Sequence, residues 1–232
     1  MFNGETIGSK NSEFIWGRSF GDLKGHMADV FPPNDIMGGY NGLCVTQKLV
    51  DAYYMVDGRD IKNASEEYPY NIAKGAVTDD NFSKVKESFS GYLIPAGVYG
   101  MYLNRENRFY ATVGFSGRHW FVKSNTQSQY GPYNVWYHEM NTVPGSDLYA
   151  GKYSSVNNVI DYPGTGYVLT KWVHPMDALK GTGSNLVAKY YPIIRYAEIL
   201  LGYAEALNHL KTSYTIELPA INGGNPGSYT HL

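Results

Sequence analysis

The sequence predicts a mainly α-helical chain with long ordered loops and a few short β-strands. Three observations carry that expectation. The run from Tyr190 to Leu210 is apolar at helical spacing. Three short segments rich in Tyr, Val and Phe are bounded by glycine or polar turns, the pattern of strands. The 232 residues include 26 Gly and 11 Pro, which marks much irregular backbone while staying short of the roughly 25–30% that signals disorder.

The elements follow in chain order. A helix is expected over Thr46–Val56, with Leu49, Val50, Tyr53 and Tyr54 on one face and Gly58 of Asp57-Gly58 as its stop. A shorter helix is expected over Asn81–Phe89. Strands are expected at Val98–Leu103, Phe109–Phe115 and Gly166–Val173, and long loops at 21–42, 124–166 and 180–188. The last helix covers 192–210, with Pro192 at the first helical position, where a missing N–H is no loss. On that helix Arg195, Glu198, Gly202, Glu205 and His209 share a stripe roughly 80° wide, with Ile193, Ala197, Leu200, Ala204 and Leu207 opposite. A helix apolar over most of its circumference packs on several sides, so it is expected inside an α-helical assembly. The stripe of Arg195, Glu198 and Glu205 then reads as a structural ion-pair network that sets helix register. Residues 1–210 form the expected domain. Residues 211–232 read as an irregular tail containing Asn222-Gly-Gly-Asn-Pro-Gly, with nothing resembling a closing element.

Composition narrows the function. Nineteen basic residues against 21 acidic give a net charge of −2, which lacks the basic footprint of a nucleic-acid binder. One cysteine, Cys44, excludes an intrachain disulfide framework and a multi-cysteine zinc site. It reads as a small buried hydrophobe. The start, Met1-Phe-Asn-Gly-Glu-Thr, has no basic region followed by an apolar run, so no signal peptide is expected there. Arg195, Glu198 and Glu205 interrupt the most apolar segment, so no bilayer span is expected.

The catalytic and cofactor motifs fail one by one. The six histidines contain no i,i+4 pair, and His138-Glu139 is followed by Thr142 where a zincin needs a second histidine. Asp57-Gly-Arg-Asp60 lacks the alternating carboxylates of a calcium loop. Gly145 to Gly151-Lys152 is one residue too long for a phosphate loop, and Gly164-Thr-Gly166 precedes a strand where a dinucleotide fingerprint would follow one. In Gly114-Phe-Ser-Gly117, Arg118 stands where a nucleophile elbow needs its last glycine. Pairs such as Glu66/Glu67 and Asp79/Asp80 do not by themselves give two carboxyls facing each other across a sugar. No metal or cofactor is expected.

The aromatics survive this elimination: 22 Tyr, 9 Phe and 4 Trp. Trp16, Tyr40, Trp120, Tyr133, Trp136, Tyr137 and Trp172 lie in or beside Gly-, Asn- or Gln-bearing segments. Rings of this kind stack on the C–H faces of sugars while amides and carboxylates bond the hydroxyls. The same rings can equally anchor long loops to the core.

Four segments carry a resemblance. Tyr191-Pro-Ile-Ile-Arg-Tyr-Ala-Glu-Ile-Leu-Leu-Gly-Tyr-Ala-Glu-Ala-Leu-Asn208 closely resembles the signature helix of SusD/RagB nutrient-binding lipoproteins of Bacteroidetes. Thr46–Gly58 resembles that family's helix ending in Asp-Gly. Asn104-Arg-Glu-Asn-Arg-Phe-Tyr-Ala-Thr-Val113 resembles its R-D-P-R-F strand entry, and Gly166-Tyr-Val-Leu-Thr-Lys-Trp-Val-His-Pro175 its G-Y-x-x-x-K-y-v strand. The resemblance implies tetratricopeptide-like helix pairs plus a loop-rich C-terminal region. It also implies a non-catalytic role, binding a glycan at the outer-membrane surface and passing it to a SusC-like TonB-dependent transporter. The family's N-terminal half, with its lipidated cysteine, and its closing helix have no counterpart here, so the chain is expected to be a fragment whose membrane anchor lies elsewhere. Tyr40 and Trp16 are the first candidates for ligand contact, because the loop before the Thr46 helix is where family members present such rings. Trp136 and Tyr137 follow on loop context. A glycan-degrading domain and a transporter-contact module without its own ligand site stand as alternatives.

Overall fold

A computed structural model describes residues 4, 10–32, 38–70, 94, 97–120, 133–137, 148–151, 162–180, 185–209, 214–218 and 227–231. The expected helix 81–89 lies outside them, as does most of the 124–166 loop. The chain divides into two compact units, one of Met1–Ile7 with Ser19–Tyr191 and one of Gly8–Arg18 with Pro192–Leu232. Four α-helices and nine short strands lie among the described residues. The mainly helical expectation therefore gives way to short helices and strand pairs set in loops. These elements give no support for tetratricopeptide-like helix pairs.

In the larger unit, α1 (Leu23–Val30) begins where the Asp22 carboxylate accepts the Gly25 N–H at 2.8 Å, and it buries Met27, Ala28 and Val30. The sequence reading has a loop here, because eight residues broken by Gly25 show too little periodicity to register. Helix α2 (Gln47–Ala52) begins as expected at Thr46, whose hydroxyl accepts the Leu49 N–H. It stops four residues before the expected end, since Tyr53 is already extended. Gly58, at φ +82°, donates instead to the Met55 carbonyl in a separate turn.

What ends α2 is Arg105. Its Nη2 donates to the carbonyls of Val50 (2.6 Å) and Tyr53 (2.8 Å), and its Nη1 to Met101 (3.3 Å). The side chain is fully buried, and the guanidinium sits 4.8 Å from the Phe109 ring centroid. The last carbonyls of a helix need donors, and a six-residue helix has few that its own backbone can satisfy. Burial holds the guanidinium's pKa below its ordinary value, opposed by the Tyr70 and Tyr110 hydroxyls.

The same device recurs one helix later. Residues Phe109–Phe115 are expected as a strand, but Asn107–Thr112 form α3 and only Val113–Gly114 extend as β2. The Arg118 guanidinium donates to the carbonyls of Tyr110 and, at 2.9 Å, Val113. The helical turn buries Phe109, Tyr110 and Thr112 together, where a strand would turn alternate residues outward. Ring stacking joins Phe115 to Tyr102 (4.6 Å) and to Phe109 (5.7 Å). Within the expected strand 98–103, Gly100–Tyr102 instead form a 3₁₀ turn.

Strand β2 pairs antiparallel with β6 (Val168–Leu169), the observed part of the expected strand 166–173. Strands β3 (Arg118–Trp120), β4 (Tyr133–Trp136) and β5 (Leu148–Tyr149) form a second sheet, antiparallel then parallel. The larger unit also holds a buried ion pair that no sequence pattern announces. Lys189 Nζ bonds Asp177 at 2.8 and 2.9 Å with both side chains fully buried. Asp177 also accepts the N–H groups of His174 and Val187, which compensates its burial.

Most of β1 (Phe14–Ser19) and of its partner β7 (Tyr190–Arg195) belongs to the smaller unit, and α4 (Tyr196–Asn208) follows directly. Pro192 is thus in a strand and not at a helix start. A two-stranded sheet leaves each strand an open edge, where the missing N–H costs nothing. Arg195 caps α4 from outside it, Glu198 and Glu205 are exposed, and no ion pair joins the three among the described residues. The expected buried network is corrected to a solvated face. The expectation that this helix packs on several sides is corrected too. Only Leu207 is buried, Leu201 is 72% exposed, and no other helix lies among the unit's described residues. The expected irregular tail contains a hairpin, with β8 (Tyr214–Leu218) antiparallel to β9 (Gly227–His231).

Arg105→Met is expected to destabilise the chain by about 3–5 kcal/mol, because three carbonyls lose a charged donor. Arg105→Lys should recover only part, since one ammonium cannot reproduce the planar fork. Urea unfolding of the three proteins checks both.

Candidate functional site

The loop that follows α1 presents the strongest exposed ring. Helix α1 leaves carbonyls unpaired at its end, and the returning chain supplies their donors. Phe31 N–H bonds Met27 O, Tyr40 N–H bonds Ala28 O at 2.7 Å, and Leu43 N–H bonds Asp29 O. Asn41 N–H donates to Phe31 O, and its side-chain amide reaches the Ala150 carbonyl at 3.3 Å. Gly38 (φ +75°) and Asn41 (φ 52°) take left-handed conformations on either side of the ring. Gly39 has no room for a side chain: a Cβ there would lie 1.9 Å from the Phe31 carbonyl oxygen. The backbone beneath Tyr40 is therefore pinned at several points while its side chain is 53% exposed. The stem of Lys180 crosses Gly38 in the same neighbourhood.

The other candidates separate. Trp16 lies in the smaller unit on β1, and its side chain is 59% exposed. Trp136 is 1% exposed and has no free face, because its ring fills the space above Gly97 and Gly117. That placement makes it a core residue. Tyr137 is half-buried and packs against the apolar cluster that includes Met27, Phe31, Trp120 and Val135, with its backbone N–H held by the Ser116 hydroxyl. Burial raises its phenol pKa, against a lowering pull from Arg118. Trp120 and Trp172 are also buried, so those two rings anchor loops. Cys44, expected inside, is exposed, and its Sγ donates to the Asn41 carbonyl at 3.4 Å.

Sequence reasoning named Tyr40 and missed what holds it. Gly39 and Asn41 are the positioning residues, and the signal available was the run Gly38-Gly-Tyr-Asn-Gly42, dense in residues that tolerate unusual backbone. Among the described residues, no group of three His, Cys, Asp or Glu is placed to hold a metal ion. No described helix is long and apolar enough to cross a membrane.

Three of the four segments that carry the resemblance meet in this unit. Arg105 of 104–113 ends the helix of 46–58. The Tyr167 hydroxyl of 166–175 donates to Gln47 Oε1 at 2.8 Å, and Thr170 N–H bonds the Thr112 carbonyl. The family model of the SusD family matches residues 9–222. The chain belongs to the SusD/RagB family. No curated protein matches the sequence. SusD family proteins serve glycan-binding nutrient uptake, are generally non-catalytic and act with SusC-like transporters at the outer-membrane surface.

Gly39→Ala is expected to destabilise this SusD-family chain by about 2–4 kcal/mol through the clash with Phe31. Tyr40→Ala, which touches only the exposed ring, should stay within about 0.5 kcal/mol of the parent. Thermal or urea unfolding of both variants checks the contrast.

Proposed function

We propose that the chain binds an oligosaccharide without chemistry, with the Tyr40 ring of the larger unit and the Trp16 ring of the smaller each a separate stacking surface for a sugar, and passes it to a SusC-like TonB-dependent transporter at the outer membrane. The observation that carries this reading is Tyr40 itself, an exposed aromatic plane on a backbone that cannot readily yield. A ring on a rigid support loses little conformational entropy when a ligand stacks on it. Residues 1–210 are the proposed family domain.

Isothermal titration against a panel of bacterial, plant and host glycans tests the proposal. Tyr40→Ala is expected to weaken binding of a glycan that the parent recognises by about 3–10-fold, and Trp16→Ala by a similar factor. Unchanged affinity in both variants would leave the rings to contact the transporter. Sustained product release abolished by one carboxylate substitution would make the protein a glycan-degrading enzyme.

A further inference from the structure

The chain enters the larger unit for the second time at Ser19 and leaves it after Tyr191, and Phe20 and Tyr191, beside these two crossings, belong to one cluster of rings. Phe20 meets Trp172 edge-on at 5.0 Å and Tyr191 at 6.3 Å, while Trp172 stacks on Tyr191 at 6.0 Å. The fourth member is a histidine. His26 of α1 stacks on Phe20 at 4.5 Å and meets Trp172 edge-on at 5.6 Å. Its Nε2 is buried and has no hydrogen-bond partner among the described residues. An unpartnered ring nitrogen suits the neutral imidazole, which can leave a lone pair there. The imidazolium would place a donor N–H in the same partnerless position.

We propose that His26 is a pH-sensitive latch within the larger unit: neutral, it completes the ring cluster that holds the chain at Phe20 and at Tyr191, and protonated, it loosens both segments together. This holds whether or not Tyr40 binds a glycan.

The charged groups around the ring are Asp29, on its own helix, and Lys189, which is paired with Asp177. From β7 the Tyr191 phenol joins the cluster through Phe20 and Trp172. Burial pushes the His26 pKa below its ordinary value, Asp29 pulls it up, and Lys189 adds to the lowering. Above pH about 6.5 the imidazole is neutral in the closed and the opened cluster alike. As the pH falls through that value the opened cluster takes up the proton first, so opening becomes easier. Below the closed-state pKa both carry the proton, and the effect levels off.

Amide hydrogen exchange on the full chain at pH 7.5 and 5.5, corrected for the intrinsic pH dependence of exchange, reads the latch. Protection of the amides at 19–20 and 190–191 is expected to fall several-fold at the lower pH, while the β2–β6 amides Val113 and Leu169 keep theirs. In His26→Phe, which keeps a ring and loses the titration, the fall should vanish. An equal fall in that variant, a fall spread over all amides, or no fall in the parent would overturn the proposal. Should His26→Phe fail to fold, NMR titration of His26 in the parent decides: a pKa at or above 6.5 overturns it, and a lower one supports it.

Discussion

The larger unit depends on a donor reaching into a helix end. Helix α2 is too short to satisfy its own backbone, and without Arg105 the buried carbonyl of Val50 and the part-buried one of Tyr53 would lose this donor. Arg105 meets them with one planar group and uses its apolar face against Phe109. Arg118 does the same for α3, and the backbone N–H groups of Tyr40 and Leu43 do it for α1. In all three the partner comes from beyond the helix itself. Secondary structure in this unit is thus a consequence of tertiary contact, the reverse of the order that holds for long amphipathic helices.

That dependence explains what the sequence disclosed and what it withheld. Local signals were readable: the helix start at Thr46 and the strand around Val168 follow from residues within a few positions of one another, whereas Gly58, expected to stop that helix, closes a separate turn. Helices α1 and α3 were not readable, because what closes them comes from elsewhere. Asn107–Thr112 has the composition of a strand, and only the packing of Phe109 beside Arg105 and the reach of Arg118 make it helical. Pro192 misled for a different reason. Its fixed φ suits both a helix start and an open strand edge, and local sequence cannot choose between them. For the site, the exposed ring of Tyr40 was legible from loop context, while the burial of Trp136 was not, since the space it fills is made by Gly97 and Gly117.

The family resemblance acquires a physical meaning in this light. Segments that look like separate signatures along the chain are parts of one joint: a helix, the arginine that ends it, and the tyrosine just before β6 that bonds its first residue. The fourth segment behaves differently. Strand β7 and helix α4 keep the signature's sequence while leaving Ile199, Leu200 and Tyr203 open to solvent.

Cys44 has a practical consequence. It is the only thiol in the sequence, it is exposed, and its sulfur rests on the carbonyl of the residue next to Tyr40. A maleimide dye would therefore attach at one place, beside the proposed binding ring, with no residue exchanged. The natural chain comes equipped as its own fluorescent reporter.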